Sequence, residues 1–294
     1  MWWRRKRCKL PFFSTQGVLQ QADPRCWQDH FFGLTPARWA RLAGCAFWIT
    51  GAGTGYGRAV ALALAASGAT VFLTGRRSEK LQETLDEGVC LGIKTDQCIP
   101  IVADITSESD LIQAIELISR HVSKLHGLVN NAAQPQPGSG NRPLTELSLA
   151  SWNELMSVNV TGQWLLTKLA MPLLINSDSL RIVFMSSEAG WAYTSGFGPY
   201  NISKSALNTL GASLAAEWAG HFPDKDIQIN VLIPGEAKTE MNQASTISPY
   251  SVVSMTLALL SHPSGGPNGC FFHRDGRHLE FAYSPSYVND LLVP

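Results

Sequence analysis

The chain has 294 residues, 45% of them hydrophobic, which is sufficient to bury the core of one large domain. Its formal net charge of +0 excludes an overall electrostatic attraction to nucleic acid or to an anionic membrane surface. The 6 cysteines form no Cys-x-x-Cys pair and have no histidine at metal-ligand spacing. Isolated cysteines are typical of free thiols in a reducing, cytoplasmic compartment.

Residues 1–40 are predicted to be an extension that precedes the folded domain and is poorly ordered. Residues 1–10 combine a basic cluster with Trp2 and Trp3, so a targeting or membrane-associating role also stays open. No apolar run in this region approaches the ~18 residues that a membrane-spanning helix needs. The sequence therefore predicts no transmembrane segment.

From residue 45 onward, short apolar runs alternate with Ala/Leu-rich or amphipathic segments. The runs predict β-strands at 45–50, 69–74, 98–102, 127–130, 181–185, 227–233 and 270–273. The segments between them predict helices at 58–67, 79–87, 111–121, 151–175, 200–221 and 248–261, with a Pro/Gly-rich loop at 134–143. Because the strands are continuously apolar rather than alternating, we expect an α/β fold with a parallel sheet covered by helices on both faces.

The first predicted strand and helix are joined by a glycine-rich turn, Thr-Gly-Ala-Gly-Thr-Gly-Tyr-Gly at 50–57. Gly51 permits the turn, Gly55 allows the backbone to approach a pyrophosphate, and Gly57 allows the helix to pack closely on the strand. The N-terminus of the helix offers unpaired N–H groups to phosphate oxygens. This context predicts a dinucleotide-binding turn rather than an ordinary tight turn.

The second predicted strand is followed by Gly75, Arg76 and Arg77. Dinucleotide folds that prefer NAD place a carboxylate here to bond the ribose hydroxyls, whereas a guanidinium can bind the 2′-phosphate of NADP. We therefore expect NADPH or NADP+ as the cofactor, with Arg76 as a phosphate ligand, and NADH or NAD+ to be less favoured. Arg77 is predicted to be a solvated residue at the start of the next helix.

Tyr200 and Lys204 share one helix face, because their spacing is i and i+4. A tyrosine with its ordinary pKa of ~10 is a poor acid–base catalyst near neutral pH. A lysine ammonium about 4 Å away would favour the tyrosinate by up to ~4 kcal/mol at an effective dielectric constant of about 20. That free energy corresponds to roughly three pKa units, so we expect Lys204 to lower the pKa of Tyr200 into a useful range.

Together these motifs resemble the classical branch of the short-chain dehydrogenase/reductase family, over about residues 41–279. The glycine pattern at 50–57 matches, as does Asn-Asn-Ala-Ala at 130–133. Ser187 precedes Tyr200 by 13 positions, which is the family's usual interval. The remaining matches are Asp104 after the third strand, Asn159 in Val-Asn-Val-Thr-Gly, and Pro234, Gly235 and Thr239 after the sixth strand.

The resemblance implies a Rossmann-type doubly wound parallel sheet and a task for each site residue. Ser187 would hydrogen-bond the substrate oxygen, and Tyr200 would protonate it in reduction or deprotonate it in oxidation. Lys204 would bind the nicotinamide ribose, and Asn159 would hold a water that connects Lys204 to solvent. The other implied cofactor contacts are Gly51, Gly55, Tyr56 and Gly57 in the glycine turn, Arg76, Asp104 at the adenine ring, Asn131, Pro234, Gly235 and Thr239.

Some positions depart from the family pattern or leave alternatives open. The family usually has isoleucine where Tyr56 stands and glycine where Ala133 stands, and neither change removes a catalytic group. Ser187 is preferred to its neighbour Ser186 on spacing alone. Three aromatic residues could either line an apolar substrate pocket or serve in ordinary packing or subunit contact: Trp191, Tyr193 and Phe197. Three histidines are too scattered to predict a metal site: His262, His273 and His278.

The sequence therefore predicts an NADP(H)-dependent oxidoreductase that reduces a ketone or 3-oxo group to an alcohol, or catalyses the reverse. Its alternative is a non-catalytic NADPH-binding sensor or scaffold of the same fold. The expected partner is a small-molecule carbonyl or alcohol rather than nucleic acid, and no metal is expected. One domain is predicted over 41–280, followed by a tail over 281–294. Family members usually form homodimers or homotetramers, here through the helices predicted at 151–175 and 200–221.

Overall fold

The structure, a computed structural model, describes residues 23–135, 144–191 and 196–279. Several predictions fall elsewhere in the chain and lie outside the described residues. They concern the basic N-terminal cluster, Tyr193, the loop at 134–143 beyond residue 135, and the tail.

Eight strands of the described chain form one sheet, in the order β3-β2-β1-β4-β5-β6-β7-β8. They are β1 (Ala46–Thr50), β2 (Thr70–Gly75), β3 (Cys98–Val102), β4 (Gly127–Asn130), β5 (Ser179–Met185), β6 (Asp226–Ile233), β7 (Phe271–His273) and β8 (His278–Leu279). Neighbouring strands from β3 to β7 are parallel, and β8 is antiparallel to β7. The chain moves outward from β1 to β3 and then crosses to β4 on the other side of β1, which confirms the doubly wound Rossmann-type sheet.

The helices of the described residues are mostly α-helices and short 3-10 helices. The α-helices are α1 (Trp27–His30), α2 (Pro36–Ala40), α3 (Gly55–Ala66), α4 (Ser78–Cys90), α5 (Glu108–His121), α6 (Leu149–Met156), α7 (Gly162–Ile175), α8 (Gly198–His221) and α9 (Val253–Leu260). Short 3-10 helices occupy Pro24–Cys26, Phe31–Gly33, Leu144–Glu146, Glu188–Gly190 and Pro249–Val252.

The helices cover both faces of the sheet. Buried residues of α3, α4 and α9 form the core on one face, and those of α5, α7 and α8 form the core on the other. Because both faces are covered, β1 is buried along its whole length and carries no alternating polar residue. The apolar run of β1, which predicted a parallel sheet, is therefore explained by helices that cover both faces of the sheet.

The helix predicted at 151–175 is interrupted in its middle. α6 ends at Met156, a π-helical turn occupies Ser157–Thr161, and α7 begins at Gly162. A π turn inserts an extra residue into a helix and is frequent at functional sites. Asn159 lies within this turn and is fully buried. Apolar periodicity could not reveal the interruption, because helical backbone continues through the π turn from α6 into α7.

The last predicted helix, 248–261, begins with the 3-10 turn at Pro249–Val252 and continues as α9. Ser248 caps this start, since its hydroxyl accepts the backbone N–H of Tyr250 over 3.2 Å. The proline at the first helical position fixes φ in the helical range and needs no N–H partner, which favours a tight turn here.

The described part of the N-terminal extension comprises residues 23–40. It forms short helices, and Phe32 within it is fully buried. The ring of Phe32 stacks on that of Tyr250, with centroids 6.1 Å apart and planes inclined by 9°. Phe31 and Phe32 both have left-handed backbone, with φ of 47° and 51°. This conformation costs a non-glycine residue about 1–3 kcal/mol, and the burial of large aromatic surfaces offsets it.

Cysteine pairing also differs from the sequence-based expectation. Cys26 is disulfide-bonded, so the prediction of free thiols throughout the chain is wrong at this position. Cys45, Cys90 and Cys98 are free thiols. Within the described ranges, no helix is both long enough and apolar enough to cross a bilayer.

Candidate active site

The carboxyl ends of the parallel strands open into one cleft of about 810 Å³. Segments that follow β1 through β6 all contribute to its walls. Ligands of doubly wound sheets bind at this edge, because the loops diverge where the strand order reverses. All the predicted site residues line the cleft except Gly57 and Asn159.

The glycine turn at 50–57 has the geometry that its spacing predicts. Gly51 and Gly55 have φ of 63° and 55°, in the left-handed region that favours glycine. A Cβ atom at Gly57 would lie 2.2 Å from the Gly51 carbonyl oxygen. Only glycine therefore allows α3 to begin this close to β1, and Gly57 acts through packing rather than by facing the cleft.

The first turn of α3 has properties suited to an anion. Thr54, which precedes the helix, makes no side-chain capping hydrogen bond, and the first turn contains no acidic residue. The first N–H groups of the helix and the positive end of its dipole remain available to a ligand. Thr54 and Gly55 line the cleft, so a phosphate group there would meet these donors.

Tyr56 joins the glycine turn to the segment after β6. Its hydroxyl donates to the Gly235 carbonyl oxygen over 2.7 Å. Burial raises the pKa of Tyr56 well above its ordinary value, so the hydroxyl stays a protonated donor. An isoleucine at this position could not make the bond. Arg274 supports the same segment, because its guanidinium donates to the Pro234 carbonyl oxygen over 3.0 Å.

The end of the cleft beside β2 is rich in cations. Arg76, Arg77 and Lys80 all line it, and Gly75 stands where a carboxylate would favour NAD. The Arg76 guanidinium lies 3.9 Å from the Asp104 carboxylate, and its side chain is 64% exposed. The structure therefore brings together the two residues that the sequence assigned to the adenosine half of a cofactor.

Arg77 is exposed at the start of α4, as the sequence predicted, and it also forms an ion pair. Its Nη2 donates to Glu240 Oε2 over 2.6 Å, and both side chains are about half exposed. Glu240 follows β6 and lines the opposite wall of the cleft. Because the two partners are 163 positions apart, the pairing could not be foreseen from local sequence.

Asn131 holds the glycine turn in place. Its side-chain amide donates to the Thr50 carbonyl oxygen over 2.8 Å and to that of Gly51 over 3.3 Å. The Thr50 hydroxyl accepts the backbone N–H groups of Asn131 and Ala132 in return. Asn131 therefore lines the cleft while its amide N–H donors are committed to the turn.

Ser187, the serine that the sequence predicted to be catalytic, differs from its neighbour Ser186 in its hydrogen-bond partner. Ser187 and Tyr200 share a side-chain hydrogen bond, and both line the cleft. The Ser186 hydroxyl instead donates to Asn208 Oδ1 over 2.5 Å and is buried. The choice of Ser187, made from its interval to Tyr200, agrees with this geometry.

Tyr200 and Lys204 lie together but do not influence one another as expected. Burial raises the pKa of Tyr200 to about 12, although the hydrogen bond from Ser187 works in the lowering direction. Burial also lowers the pKa of Lys204 to about 8. The Lys204 ammonium lies 5.6 Å from the centre of the Tyr200 ring. Removal from water therefore outweighs the attraction between the two groups. The pKa of Tyr200 is raised, whereas the sequence predicted that Lys204 would lower it.

Asn159 lies behind the wall of the cleft. Its side chain accepts the backbone N–H of Gln134 over 2.7 Å and donates to the Gln134 carbonyl oxygen over 3.1 Å. It also donates to the hydroxyl of Ser203, the neighbour of Lys204, over 3.1 Å. Asn159 thus connects the loop after β4 to α8, whereas the sequence placed it at a water beside Lys204.

The aromatic residues near Ser187 divide between the two roles that the sequence left open. Trp191 packs edge-on against Phe271, with centroids 4.9 Å apart, and does not line the cleft. Phe197 does line it and is 36% exposed. Trp191 therefore has a packing role, whereas Phe197 forms part of the cleft wall.

Several cleft residues were not singled out from the sequence, among them Lys80, Gln134, Glu188 and Glu240. Glu188 directly follows Ser187, and its 60% exposed carboxylate lies 3.5 Å from His273 Nε2. His273 also contacts the Asp275 carboxylate over 2.9 Å. Among the described residues, no group of three or more His, Cys, Asp or Glu side chains could hold a metal ion.

Comparison with known proteins gives a consistent result. A family model described as short chain dehydrogenase matches residues 46–248. A tropinone reductase homolog of Arabidopsis thaliana is 38% identical over 200 residues, which are 67% of this chain and 69% of that protein. Dehydrogenase/reductase SDR family member 1 of Mus musculus is 32% identical, and the match covers 66% of this chain and 60% of that protein. A solved short chain dehydrogenase of Escherichia coli CFT073, complexed with NADPH, has a TM-score of 0.71 and 28% identity, covering 80% of this chain and 98% of that one.

Proposed function

This chain belongs to the short-chain dehydrogenase/reductase family of oxidoreductases, and we propose that it uses NADPH to reduce a ketone or 3-oxo group of a small molecule, or catalyses the reverse oxidation. The observation that carries the proposal is the hydrogen bond between Ser187 and Tyr200 on the wall of the cleft. Buried Lys204 stands beside this pair. A protein that only bound the cofactor would have little need for all three groups.

The residues present fit NADPH. The glycine turn leaves room that a Cβ atom would fill, and the uncapped start of α3 offers N–H donors to the pyrophosphate. Arg76 would bind the 2′-phosphate with charge-assisted hydrogen bonds, and Arg77 and Lys80 add positive charge at the same end. The NADPH complex of the Escherichia coli relative supports this choice. When bound, the cofactor supplies the hydride.

Tyr200 is proposed as the proton donor in reduction. Because burial raises its pKa to about 12, its hydroxyl carries a proton throughout the neutral range. Ser187 would donate a hydrogen bond to the same substrate oxygen and so stabilise the negative charge that develops there. In oxidation, the same two groups would act in the opposite direction.

Lys204 is proposed to stabilise the tyrosinate that remains after proton donation. Its ammonium is buried, so its attraction to a new negative charge is weakly screened by water. The same burial lowers the Lys204 pKa to about 8, so the supporting positive charge is present near neutral pH and decreases in alkaline solution.

The function is tested by following nicotinamide absorbance with a panel of ketones, aldehydes and 3-oxoacyl thioesters. Ser187→Ala is expected to lower turnover about 10²-fold, within the range for loss of a group that stabilises the developing oxyanion. Ser186→Ala is the matched control and should keep turnover, because Ser186 bonds to Asn208 instead of Tyr200. Tight NADPH binding with no turnover of any panel member would favour the non-catalytic alternative.

We also propose that the protein forms a homodimer or homotetramer through α7 and α8. Trp164 on α7 and Ile202 on α8 are 42% and 39% exposed, so each helix presents a large apolar side chain that a partner subunit could cover. Light scattering of the purified protein should give a dimer or tetramer, and a monomer at micromolar concentration would reject the proposal.

A further inference from the structure

The segment 23–40 precedes the family match, yet it is fastened to the half of the domain that carries the glycine turn. The Trp27 indole donates to the Leu91 carbonyl oxygen over 3.2 Å, at the end of α4. The Arg38 guanidinium donates to the Ala258 carbonyl oxygen in α9. The segment is therefore attached to two helices on the same face of the sheet.

Between these attachments, the segment presses Phe32 against Tyr250. Phe32 is 0% exposed and keeps a left-handed backbone that is strained for a phenylalanine. Such strain persists only where the surroundings over-determine a conformation, and it is concentrated at positions with a function. Because the two rings are nearly parallel and in contact distance, Phe32 fixes where the Tyr250 ring lies.

The Tyr250 hydroxyl begins a series of hydrogen bonds that leads from Phe32 toward the glycine turn. The hydroxyl donates to Glu87 Oε1 over 2.8 Å, and Glu87 Oε2 accepts from Arg58 Nη1 over 3.2 Å. Tyr250 is 7% exposed and the Arg58 side chain 20%, so both bonds are partly shielded from water. Hydrogen bonds to charged groups are stronger than neutral ones, and shielding strengthens them further.

Arg58 is the last residue of this hydrogen-bond series and bonds to the glycine turn. Its Nη2 and Nε both donate to the Gly53 carbonyl oxygen, over 2.6 and 3.0 Å. Gly53 lines the cleft in the middle of the proposed phosphate-binding turn. Thr84, which also accepts from Arg58, donates to the neighbouring Ala52 carbonyl oxygen over 3.0 Å. The orientation of these two peptides therefore depends on groups outside the turn.

We propose that residues 23–40 are a positioning element for the phosphate-binding turn, acting through Tyr250 and Arg58. Phe32 holds the Tyr250 ring, and the Tyr250 hydroxyl orients Glu87. Glu87 then keeps the Arg58 guanidinium on the Gly53 carbonyl. The inference deepens the proposed function, since it assigns to this segment a share of the affinity for NADPH.

The first test measures the turn without any cofactor. Amide hydrogen exchange of peptides covering 51–55 is compared between the full-length chain and two variants, Tyr250→Phe and Phe32→Leu. Tyr250→Phe removes the bond to Glu87 but keeps the ring, and Phe32→Leu removes the ring that holds it. Both variants should speed amide exchange in the turn about twofold to tenfold, which is the change expected from losing the net free energy of one hydrogen bond. The exchange rates of amides in α5 should stay unchanged.

A matched control separates this effect from a general loss of stability. Ile118→Val leaves a small cavity in the core on the other face of the sheet, and it should not change exchange at 51–55. If Phe32→Leu fails to fold, Tyr250→Phe decides the question alone. Unchanged exchange of the turn in folded Tyr250→Phe overturns the inference.

The second test measures the consequence for the cofactor. Fluorescence titration of Tyr250→Phe should give an NADPH Kd raised about twofold to tenfold, with kcat at saturating NADPH retained for any substrate that wild type reduces. A lowered Tm with unchanged Kd would indicate a purely structural role and reject the proposal. Should wild type bind no nicotinamide nucleotide, the proposed function fails, while the exchange measurement still decides whether the segment positions the turn.

Discussion

The Lys204 ammonium donates a hydrogen bond to the Met185 carbonyl oxygen over 3.0 Å, at the end of the strand that leads to Ser187. This bond ties α8 to the carboxyl end of β5 and compensates part of the cost of burying a cation. It also holds the charge close to Tyr200 before any ligand arrives. The position of the Lys204 ammonium is thus set by a backbone acceptor rather than by Tyr200.

Replacing Tyr200 by phenylalanine should abolish the chemistry and spare cofactor binding. The variant keeps the ring but loses the proton that the substrate oxygen needs, so turnover should fall by about 10²–10⁴-fold or more. NADPH affinity, measured by fluorescence titration, should stay within about threefold of wild type, because Tyr200 contributes one group of many to the cleft. Turnover equal to that of wild type would exclude Tyr200 as the acid.

The buried lysine makes stability depend on pH in a definite direction. Burial lowers the Lys204 pKa from 10.5 to about 8, so between these values the unfolded chain binds more protons than the folded one. Stability contributed by this group therefore rises with pH from about 8 to about 10.5, by roughly 3 kcal/mol at most.

Urea unfolding of wild type and Lys204→Met at pH 7 and pH 10 measures this dependence. The free energy of unfolding of wild type should rise relative to that of the variant as the pH increases. A difference that stays constant, or that changes in the other direction, would contradict the lowered pKa of Lys204.

Arg76→Ala should weaken NADPH far more than NADH. The guanidinium would make charge-assisted hydrogen bonds to the 2′-phosphate, each worth about 1.5–3 kcal/mol, so the NADPH Kd should rise about 10- to 100-fold. The NADH Kd should change by less than about threefold, since NADH lacks that phosphate. Arg277→Ala is the control, because Arg277 is exposed and pairs with Asp275 away from the cleft. Equal losses for both cofactors would reject the assignment.

Glu240→Gln should strengthen NADPH binding. The carboxylate pairs with Arg77 across the cleft and neutralises a cation at the end where the phosphate would lie. Its removal frees the Arg77 guanidinium and lifts a like-charge repulsion, so the NADPH Kd should fall about twofold to fivefold at low salt. Stability should hardly change, since exposed ion pairs are worth about 0–1 kcal/mol. Titration at two salt concentrations checks the result, and a weaker NADPH complex would count against it.

The strands and the glycine turn could be predicted because their causes are local. A strand covered on both faces is mostly apolar along its length, so β1 is visible as a run in the sequence. The turn needs glycine where φ is positive and where a Cβ would collide, and spacing alone locates those positions. The interval between Ser187 and Tyr200 likewise located a pair that the fold brings into hydrogen-bond contact.

What only the tertiary structure decided depends on contacts between distant segments and on removal from water. The bond of Arg77 to Glu240 and the stacking of Phe32 on Tyr250 join residues far apart in the chain. The raised pKa of Tyr200 follows from burial, which the i,i+4 spacing to a lysine does not report. The sequence by itself determined the periodic elements, the glycine turn and which side chains are candidates for the chemistry. Which partners those side chains meet, and how much water surrounds them, was settled by packing, because burial and long-range pairing are properties of the whole fold.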